Sequence, residues 1–309
     1  MPLIAAIDIG TNSVLLLVAE ALPDGTLKPI VDISEITRLG QGVDQTHRLD
    51  PQAADRTLEV LRDFAAKARE SGAEKLTAIG TSVLRDASDS AAFLKRAREI
   101  LEVPLRIISG EQEAELAWLS VITDTSLGLP HPVAVADVGG GSTELITGAV
   151  DGKMQSAVSV DVGAVRLTER FLRSDPPGAE ELHAARQQAL DALAAVAAKS
   201  HCRSLVGVGG TAVNLARMSH PDAALSEVHG QCINTKTLRE LTRLLAARPV
   251  EERRRTPGLE PKRADVIVAG ALIFDALLEV LGLDSLTVST RGARFGAAIK
   301  LARGEWDDA

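Results

Sequence analysis

The sequence predicts a two-domain α/β protein, and three observations carry that prediction. Short β-branched runs alternate with longer stretches of helical period, the pattern of strands layered with helices. A glycine-containing motif that ends one such run near the N-terminus recurs 129 residues further along the chain. The 309 residues exceed the roughly 100–200 that one domain usually organises.

Ile4–Ile9 and Ser13–Glu20 read as strands joined by a glycine-containing turn. Asp50-Pro51 supplies an N-cap and a first-turn proline, and Leu58, Leu61, Ala65 and Ala68 then recur at helical spacing until Gly72. Lys75–Gly80 and Leu105–Ile108 read as strands around a helix at Ala91–Leu101, and another helix starts near Gly110. Val133–Val138 is a buried strand, followed by strands at Ser142–Val150 and Met154–Val160. A helix at Ala179–Lys199, a strand at Ser204–Val208 and helices around Lys236–Ala247 and Ala264–Leu281 come next. Leu286–Ser289 is a late strand and Ala293–Ala302 a closing helix. The Gly/Pro punctuation Gly128-Leu129-Pro130-His131-Pro132 marks a boundary. The expected domains are 1–126 and 127–292, with the closing helix 293–309 packing back on the first.

Composition narrows the function. Apolar residues make up 45% and charged residues 25% of the chain, so it folds around a core. With five Phe, two Trp and no Tyr, that core must be built from Leu, Val, Ile and Ala. Lys plus Arg number 34 against 42 Asp plus Glu, a formal charge of −8, which argues against a general nucleic-acid binder. It leaves room for a phosphorylated substrate, which needs only a local positive cluster. Cys202 and Cys232 form no C-x-x-C pair and read as thiols in a reducing compartment. No apolar run reaches the length of about 20 residues needed to span a bilayer. The N-terminus has no basic segment before its apolar residues, so a cytoplasmic protein without membrane association is expected.

Ile7-Asp8-Ile9-Gly10-Thr11-Asn12-Ser13 and Ala136-Asp137-Val138-Gly139-Gly140-Gly141-Ser142-Thr143-Glu144 share a plan. An apolar strand ends in Asp-x-Gly, passes through glycine or hydroxyl residues, and enters a second apolar run, which suggests an ancient duplication. Glycines let the backbone approach an anion, and successive N–H groups in a tight turn form a concave donor site for phosphate oxygens. Each aspartate, held at a strand end, can bind a divalent cation or orient a water. No Gly-Lys-Ser/Thr follows, so neither turn is a P-loop. Gly207-Val208-Gly209-Gly210-Thr211-Ala212 follows a strand and opens a helix, whose N-terminal amides suit phosphate.

Arg38-Leu39-Gly40-Gln41-Gly42, Gly80-Thr81-Ser82-Val83-Leu84-Arg85-Asp86-Ala87, Ile108-Ser109-Gly110-Glu111-Gln112-Glu113-Ala114 and Ser289-Thr290-Arg291-Gly292-Ala293-Arg294-Phe295-Gly296 complete an ordered set. His229-Gly230 and Arg263-Ala264-Asp265 are smaller landmarks in it. Across nearly the whole chain the set resembles the actin/sugar-kinase/heat-shock ATPase superfamily. Within it, the match is to the exopolyphosphatase and guanosine pentaphosphate phosphohydrolase (Ppx/GppA) family, in a short form without the C-terminal helical module. The resemblance implies two ribonuclease H-like domains with an interdomain phosphate-binding cleft, and homodimerisation.

It also implies roles. Glu113 aligns with the catalytic base, while spacing alone does not separate it from Glu111 and Glu115. Asp137 and Glu144 match catalytic acids that handle metal and water, with Asp8 facing them as a further metal ligand. Mg²⁺, or another divalent cation, would bridge them to phosphate. Gly10, Thr11, Asn12, Ser13, Gly139, Gly140, Gly141, Ser142, Thr143, Gly209, Gly210 and Thr211 line the phosphate turns. Arg85 and Arg294 are the expected guanidinium contacts, with Arg38, Arg166 and Arg263 as further candidates. One departure stands out: Leu15 occupies the place where the family carries Arg or His, which removes a phosphate contact. The activity expected is Mg²⁺-dependent release of orthophosphate from the end of inorganic polyphosphate. Hydrolysis of guanosine pentaphosphate and a catalytically weak nucleotide sensor are the alternatives, and a sugar kinase would need an aspartate base instead. The run Arg253-Arg254-Arg255 reads as a solvated face or a polyanion-catching rim, and Trp118 as core.

Overall fold

Leu3–Ile9 (β1) and Ser13–Ala21 (β2) are apolar on both faces, as strands enclosed between helix layers must be. They pair antiparallel, with Asp8 opposite Leu15 and Ile9 opposite Val14. The computed structural model describes residues 2–148, 153–197, 201–222 and 225–306. After β2 come β3 (Leu27–Ile36), α1 (Val43–Thr46), α2 (Pro51–Glu70), β4 (Lys75–Gly80), α3 (Ser82–Asp86), α4 (Ser90–Leu101), β5 (Leu105–Ile107) and α5 (Gly110–Ile122). The chain continues through β6 (Val133–Val138), β7 (Thr143–Gly148), β8 (Met154–Val160), α6 (Ala164–Phe171), α7 (Ala179–Ala197), β9 (Ser204–Val208) and α8 (Gly209–Ser219). It ends with α9 (Leu225–Val228), β10 (Cys232–Asn234), α10 (Thr235–Ala246), α11 (Val250–Arg253), α12 (Ile267–Leu281), β11 (Ser285–Val288) and α13 (Ala293–Ala302). The expected strand and helix ends at Val150 and Lys199 lie outside the described residues, as do 307–309 of the closing segment.

Met1–Asp124 with Gly292–Ala309 forms one unit, and Thr125–Arg291 a second. The sheet of the first runs β3-β2-β1-β4-β5. That of the second, read from its far edge, runs β8-β7-β6-β9-β11, with β10 added beyond β11. In both, the first strand pairs antiparallel with the second and parallel with the fourth. Each unit is therefore the ribonuclease H-like α/β arrangement, and the repeat seen in the sequence is a repeat of topology.

Alternation along β1 sends Ala5, Ile7 and Ile9 towards α2 and α4, and Ile4 and Ala6 towards α5 and α13. Asp8 continues the second series at the end of the strand. Asp50 caps α2, its carboxylate accepting from Ala53 N at 2.8 Å, with Pro51 in the first turn. In the second unit α12 is buried nearly all round, and Phe274 and Leu277 anchor the core. Each such side chain contributes about 1.5–3 kcal/mol of burial. Among the described residues, no helix is long and apolar enough to cross a membrane.

Among the described residues, β3, α6, β10 and the one-turn helices α1, α3, α9 and α11 escape the sequence pattern. β3 reads Leu27-Lys28-Pro29-Ile30-Val31-Asp32-Ile33-Ser34-Glu35-Ile36 with several exposed positions. It is an edge strand, which tolerates Pro29 and needs only β2 as partner. α6 is short, and β10 is three residues long. Trp118 is 6% exposed and belongs to the core. The triple-arginine run is not a uniformly solvated face. Arg253 is 3% exposed and donates to the carbonyls of Arg248 and Ala264, so it staples the 248–264 segment from within.

α13 returns to the first unit against α5 and β1. Contact with α5 is close enough that a Cβ at Gly296 would stand 2.2 Å from the Leu116 carbonyl oxygen. Gly296→Ala should therefore destabilise the chain by about 1–3 kcal/mol, as overpacking does, read as a lower urea midpoint. An unchanged midpoint would mean that the helices are not this close.

Candidate active site

The two motif turns have the same geometry. Gly10 N donates to the Ser13 carbonyl at 2.9 Å, and Gly139 N to the Ser142 carbonyl at 3.0 Å. In the first unit the loop after β3 covers one side of the turn. Gly40 N donates to the Thr11 carbonyl at 2.8 Å, and Thr37 N and Arg38 N to that of Asn12 at 3.1 and 3.0 Å. In the second, the start of α6 plays that part. Ala164 N donates to the Gly139 carbonyl at 2.9 Å, and Val165 N and Arg166 N to that of Gly140 at 2.9 and 3.1 Å. The C=O and N–H of a trans peptide point in opposite directions. Holding these carbonyls therefore turns the N–H groups of Asn12 and Ser13, and of Gly140 and Gly141, the other way, as an anion-binding turn requires.

Glycines outside the two hairpin turns make this approach possible. A Cβ at Gly40 would lie 2.2 Å from Thr11 Cγ2, and one at Gly163 would lie 2.4 Å from the Gly140 carbonyl oxygen. Gly40 belongs to the Arg38–Gly42 motif, but Gly163 carries no sequence signal beyond being a glycine. Thr11 Oγ1 and Ser82 Oγ share a hydrogen bond of 2.9 Å, and Thr11, Asn12 and Ser13 are all buried. Ser142 and Thr143 are buried too, with the Thr143 hydroxyl donating to the Val162 carbonyl.

The structure separates the three glutamates of the α5 segment. A capping box between Ser109 and Gln112 fixes where α5 begins. Glu113 falls one turn later and is 9% exposed. Arg85 Nη1 donates to its Oε2 at 3.0 Å and to the Ile108 carbonyl at 2.7 Å. Glu111 is exposed, and Glu115 lies 3.5 Å from Lys300 Nζ. Glu113 alone of the three combines burial with an arginine.

In the second unit Asp137 stands directly opposite Glu144 across the β6–β7 ladder. Both carboxylates project from one face, and Glu144 is 1% exposed. Ser159 on β8, opposite Glu144 on its other side, donates its hydroxyl to Glu144 Oε1 at 2.6 Å. Sequence reasoning missed Ser159, because one serine in a strand carries no signal until its register is known. Gly209 has φ +82°, and a Cβ there would lie 2.6 Å from Asp137 Oδ1, so the third glycine turn closes directly over this aspartate. Gly210 lies against the Arg263 guanidinium, 2.2 Å from where a Cβ would stand. Burial pushes the Arg263 pKa down despite the opposing pull of Glu260 and Asp265. It remains a cation at working pH. The Thr211 hydroxyl donates to the Val138 carbonyl at 3.4 Å.

Two further expected contributors, Arg294 and Asp8, lie in the first unit. Arg294 Nε and Nη2 donate to Asp32 Oδ1 and Oδ2 at 2.9 and 2.8 Å, a two-pronged pair tying α13 to β3. Its fork is engaged in holding the fold of the first unit. Asp8 occupies the place in the first turn that Asp137 occupies in the second, but the residue opposite it is Leu15.

Among the described residues, no group of three or more His, Cys, Asp or Glu side chains is gathered as a metal site. Asp137 and Glu144 nevertheless suit a hard divalent cation. Like charges opposite one another across a ladder are unfavourable without a counter-charge, and Mg²⁺ takes one or two carboxylates with water and substrate phosphate completing its shell.

A family model described as the Ppx/GppA phosphatase family matches residues 17–304. The chain belongs to that family. It is accordingly a hydrolase of phosphoanhydride bonds. Exopolyphosphatase 2 of Mycobacterium tuberculosis is 34% identical, over 97% of this chain and 98% of that one. A crystallised Ppx/GppA family member from Aquifex aeolicus is 33% identical, covers 99% of both chains and superposes with a TM-score of 0.82. An exopolyphosphatase structure from Cytophaga hutchinsonii, 25% identical over 98% of both chains, gives 0.89.

If Ser159 positions Glu144, Ser159→Ala should lower phosphate-release kcat about tenfold, the scale of one hydrogen bond to a charged group. KM should change little, and Ser159→Thr, which keeps a hydroxyl, should retain most of the rate. Equal turnover in Ser159→Ala and wild type would mean that the strands alone hold Glu144.

Proposed function

We propose that the chain is an exopolyphosphatase, releasing orthophosphate from the end of inorganic polyphosphate with the help of a divalent cation, Mg²⁺ by preference. The observation that carries the reading is the buried Glu113–Arg85 pair at the start of α5. The end-to-end likeness to relatives named exopolyphosphatase supplies the substrate class.

Hydrolysis of a terminal phosphoanhydride needs a positioned water, a proton acceptor and stabilisation of charge on the phosphoryl oxygens. In this reading Glu113 takes the proton of the attacking water as oxygen bonds to the terminal phosphorus. The bridging P–O bond breaks, and the shortened polyphosphate leaves with the electron pair. Arg85 orients the carboxylate through a charge-assisted hydrogen bond. The backbone amides of Gly140 and Gly141, with the Ser142 hydroxyl, hold phosphate oxygens. Asp137 and Glu144 would hold Mg²⁺, which supplies charge neutralisation there.

Phosphate release should be measured on short and long polyphosphate, guanosine pentaphosphate and ATP, with Mg²⁺ present. Polyphosphate should be the preferred substrate. Glu113→Gln should lose about 10²–10⁴-fold in turnover, the usual worth of a general base, while still binding polyphosphate. Preference for guanosine pentaphosphate would move the chain to the other branch of its family, and wild-type turnover in Glu113→Gln would remove Glu113 from the role of base. Asp137→Asn should raise the Mg²⁺ concentration needed for half-maximal rate by about tenfold, as loss of one charged ligand does. An unchanged Mg²⁺ titration would take Asp137 out of the metal site.

A further inference from the structure

Asp275 is the one charged residue in the middle of α12 and is 4% exposed. A lone buried carboxylate would be costly, and two arginines offset that cost. Arg186 Nε on α7 donates to Asp275 Oδ2 at 2.8 Å, and Arg239 Nε on α10 to Oδ1 at 2.7 Å. Glu279, one turn further along α12, accepts from Arg186 Nη2 and lies 3.8 Å from Arg239 Nη2. Burial opposes the Arg186 charge, but the bonds from Glu279 and Asp275 outweigh it and raise its pKa. Both guanidiniums are thus fixed in place.

They stand at the wall of a cavity of about 360 Å³ between α7, α10 and α12, within the range of small-molecule sites. Leu182, Ala246 and Leu272 give it an apolar lining. A third arginine, Arg243, lines it with an exposed side chain from α10, four residues after Arg239 and therefore on the same helix face. Among the described residues, the Arg243 side chain has no hydrogen-bond or ion-pair partner. Three guanidiniums face two carboxylates, leaving one positive charge beside an apolar recess. Like charges four apart on a helix repel, and an anion between Arg239 and Arg243 would relieve that repulsion.

We propose that this cavity binds a small amphipathic monoanion, a carboxylate on a short apolar body. The carboxylate would bridge Arg239 and Arg243, and the body would lie against Leu182 and Leu272. One uncompensated charge matches a monoanion better than a phosphate-monoester dianion. None of these residues belongs to the phosphate turns or to the Glu113 and Asp137 sites.

Hexanoate is the probe, titrated against the full chain by ligand-observed NMR or calorimetry. Saturable binding is expected, with hexanol (body without charge) and acetate (charge without body) each about tenfold weaker or worse, the scale of one charge-assisted hydrogen bond or a few buried methylenes. Arg243→Ala should weaken hexanoate about tenfold on the same grounds, Arg243→Lys should recover part of it, and polyphosphate turnover without hexanoate should stay at the wild-type value in both. Absence of saturable binding, equal binding in Arg243→Ala, or tighter binding of hexyl phosphate than hexanoate would overturn the proposal. So would an Arg243→Glu variant that dissociates an oligomer of the wild-type chain, because the cavity would then be filled by a second copy.

Discussion

Each phosphate-type turn depends on what lies behind it. A four-residue hairpin connection presents its amides to an anion only if its carbonyls are held on the opposite side, and buried carbonyls need donors. The first unit recruits backbone N–H groups from the loop after β3, and the second recruits the opening amides of α6. Different elements have thus been drawn to the same task. Gly40 and Gly163 follow from it, because only a residue without a Cβ lets a second backbone come that near.

The same economy governs the acid on α5. A carboxylate placed in the first turn gains from the helix dipole, but burying it requires a cation. Arg85 supplies one from a short helix that follows β4, and its second bond, to the Ile108 carbonyl, anchors it to the segment from which α5 springs. Ser109 fixes the first residue of the helix and hence the direction in which Glu113 projects. Glu111 and Glu115 share the helix but face solvent and Lys300. Chemistry at this position is decided by rotation about the helix axis, which the cap sets.

Much of the architecture was legible in the sequence, because apolar strands buried on both faces and capped helices announce themselves. The Asp-x-Gly repeat anticipated two like sheets, and the register bears it out residue by residue. What was not legible had a common cause. β3 is an exposed edge strand whose composition looks like loop, α6 is short, and Ser159 acquires meaning only once β8 is aligned with β7. Arginines were the hardest residues to place. Arg85, Arg253 and Arg294 are alike in sequence, yet one holds an acid on α5, one staples a loop through backbone carbonyls, and one joins α13 to β3. A guanidinium's partner is set by tertiary packing, which local sequence does not encode.

The repeated topology also shows where the two units differ. Across the sheet, Asp8, Leu15 and Ser34 align in the first unit as Asp137, Glu144 and Ser159 align in the second. The aspartate at the strand end and the serine on the third strand are common to both. Only the middle position differs, apolar in one and acidic in the other. In the second unit that acid creates a pair of facing carboxylates, with the serine hydroxyl orienting one of them. In the first, Leu15 leaves the serine exposed and nothing for it to orient. One residue in a shared frame thus separates a turn with a single carboxylate from a turn with a facing pair.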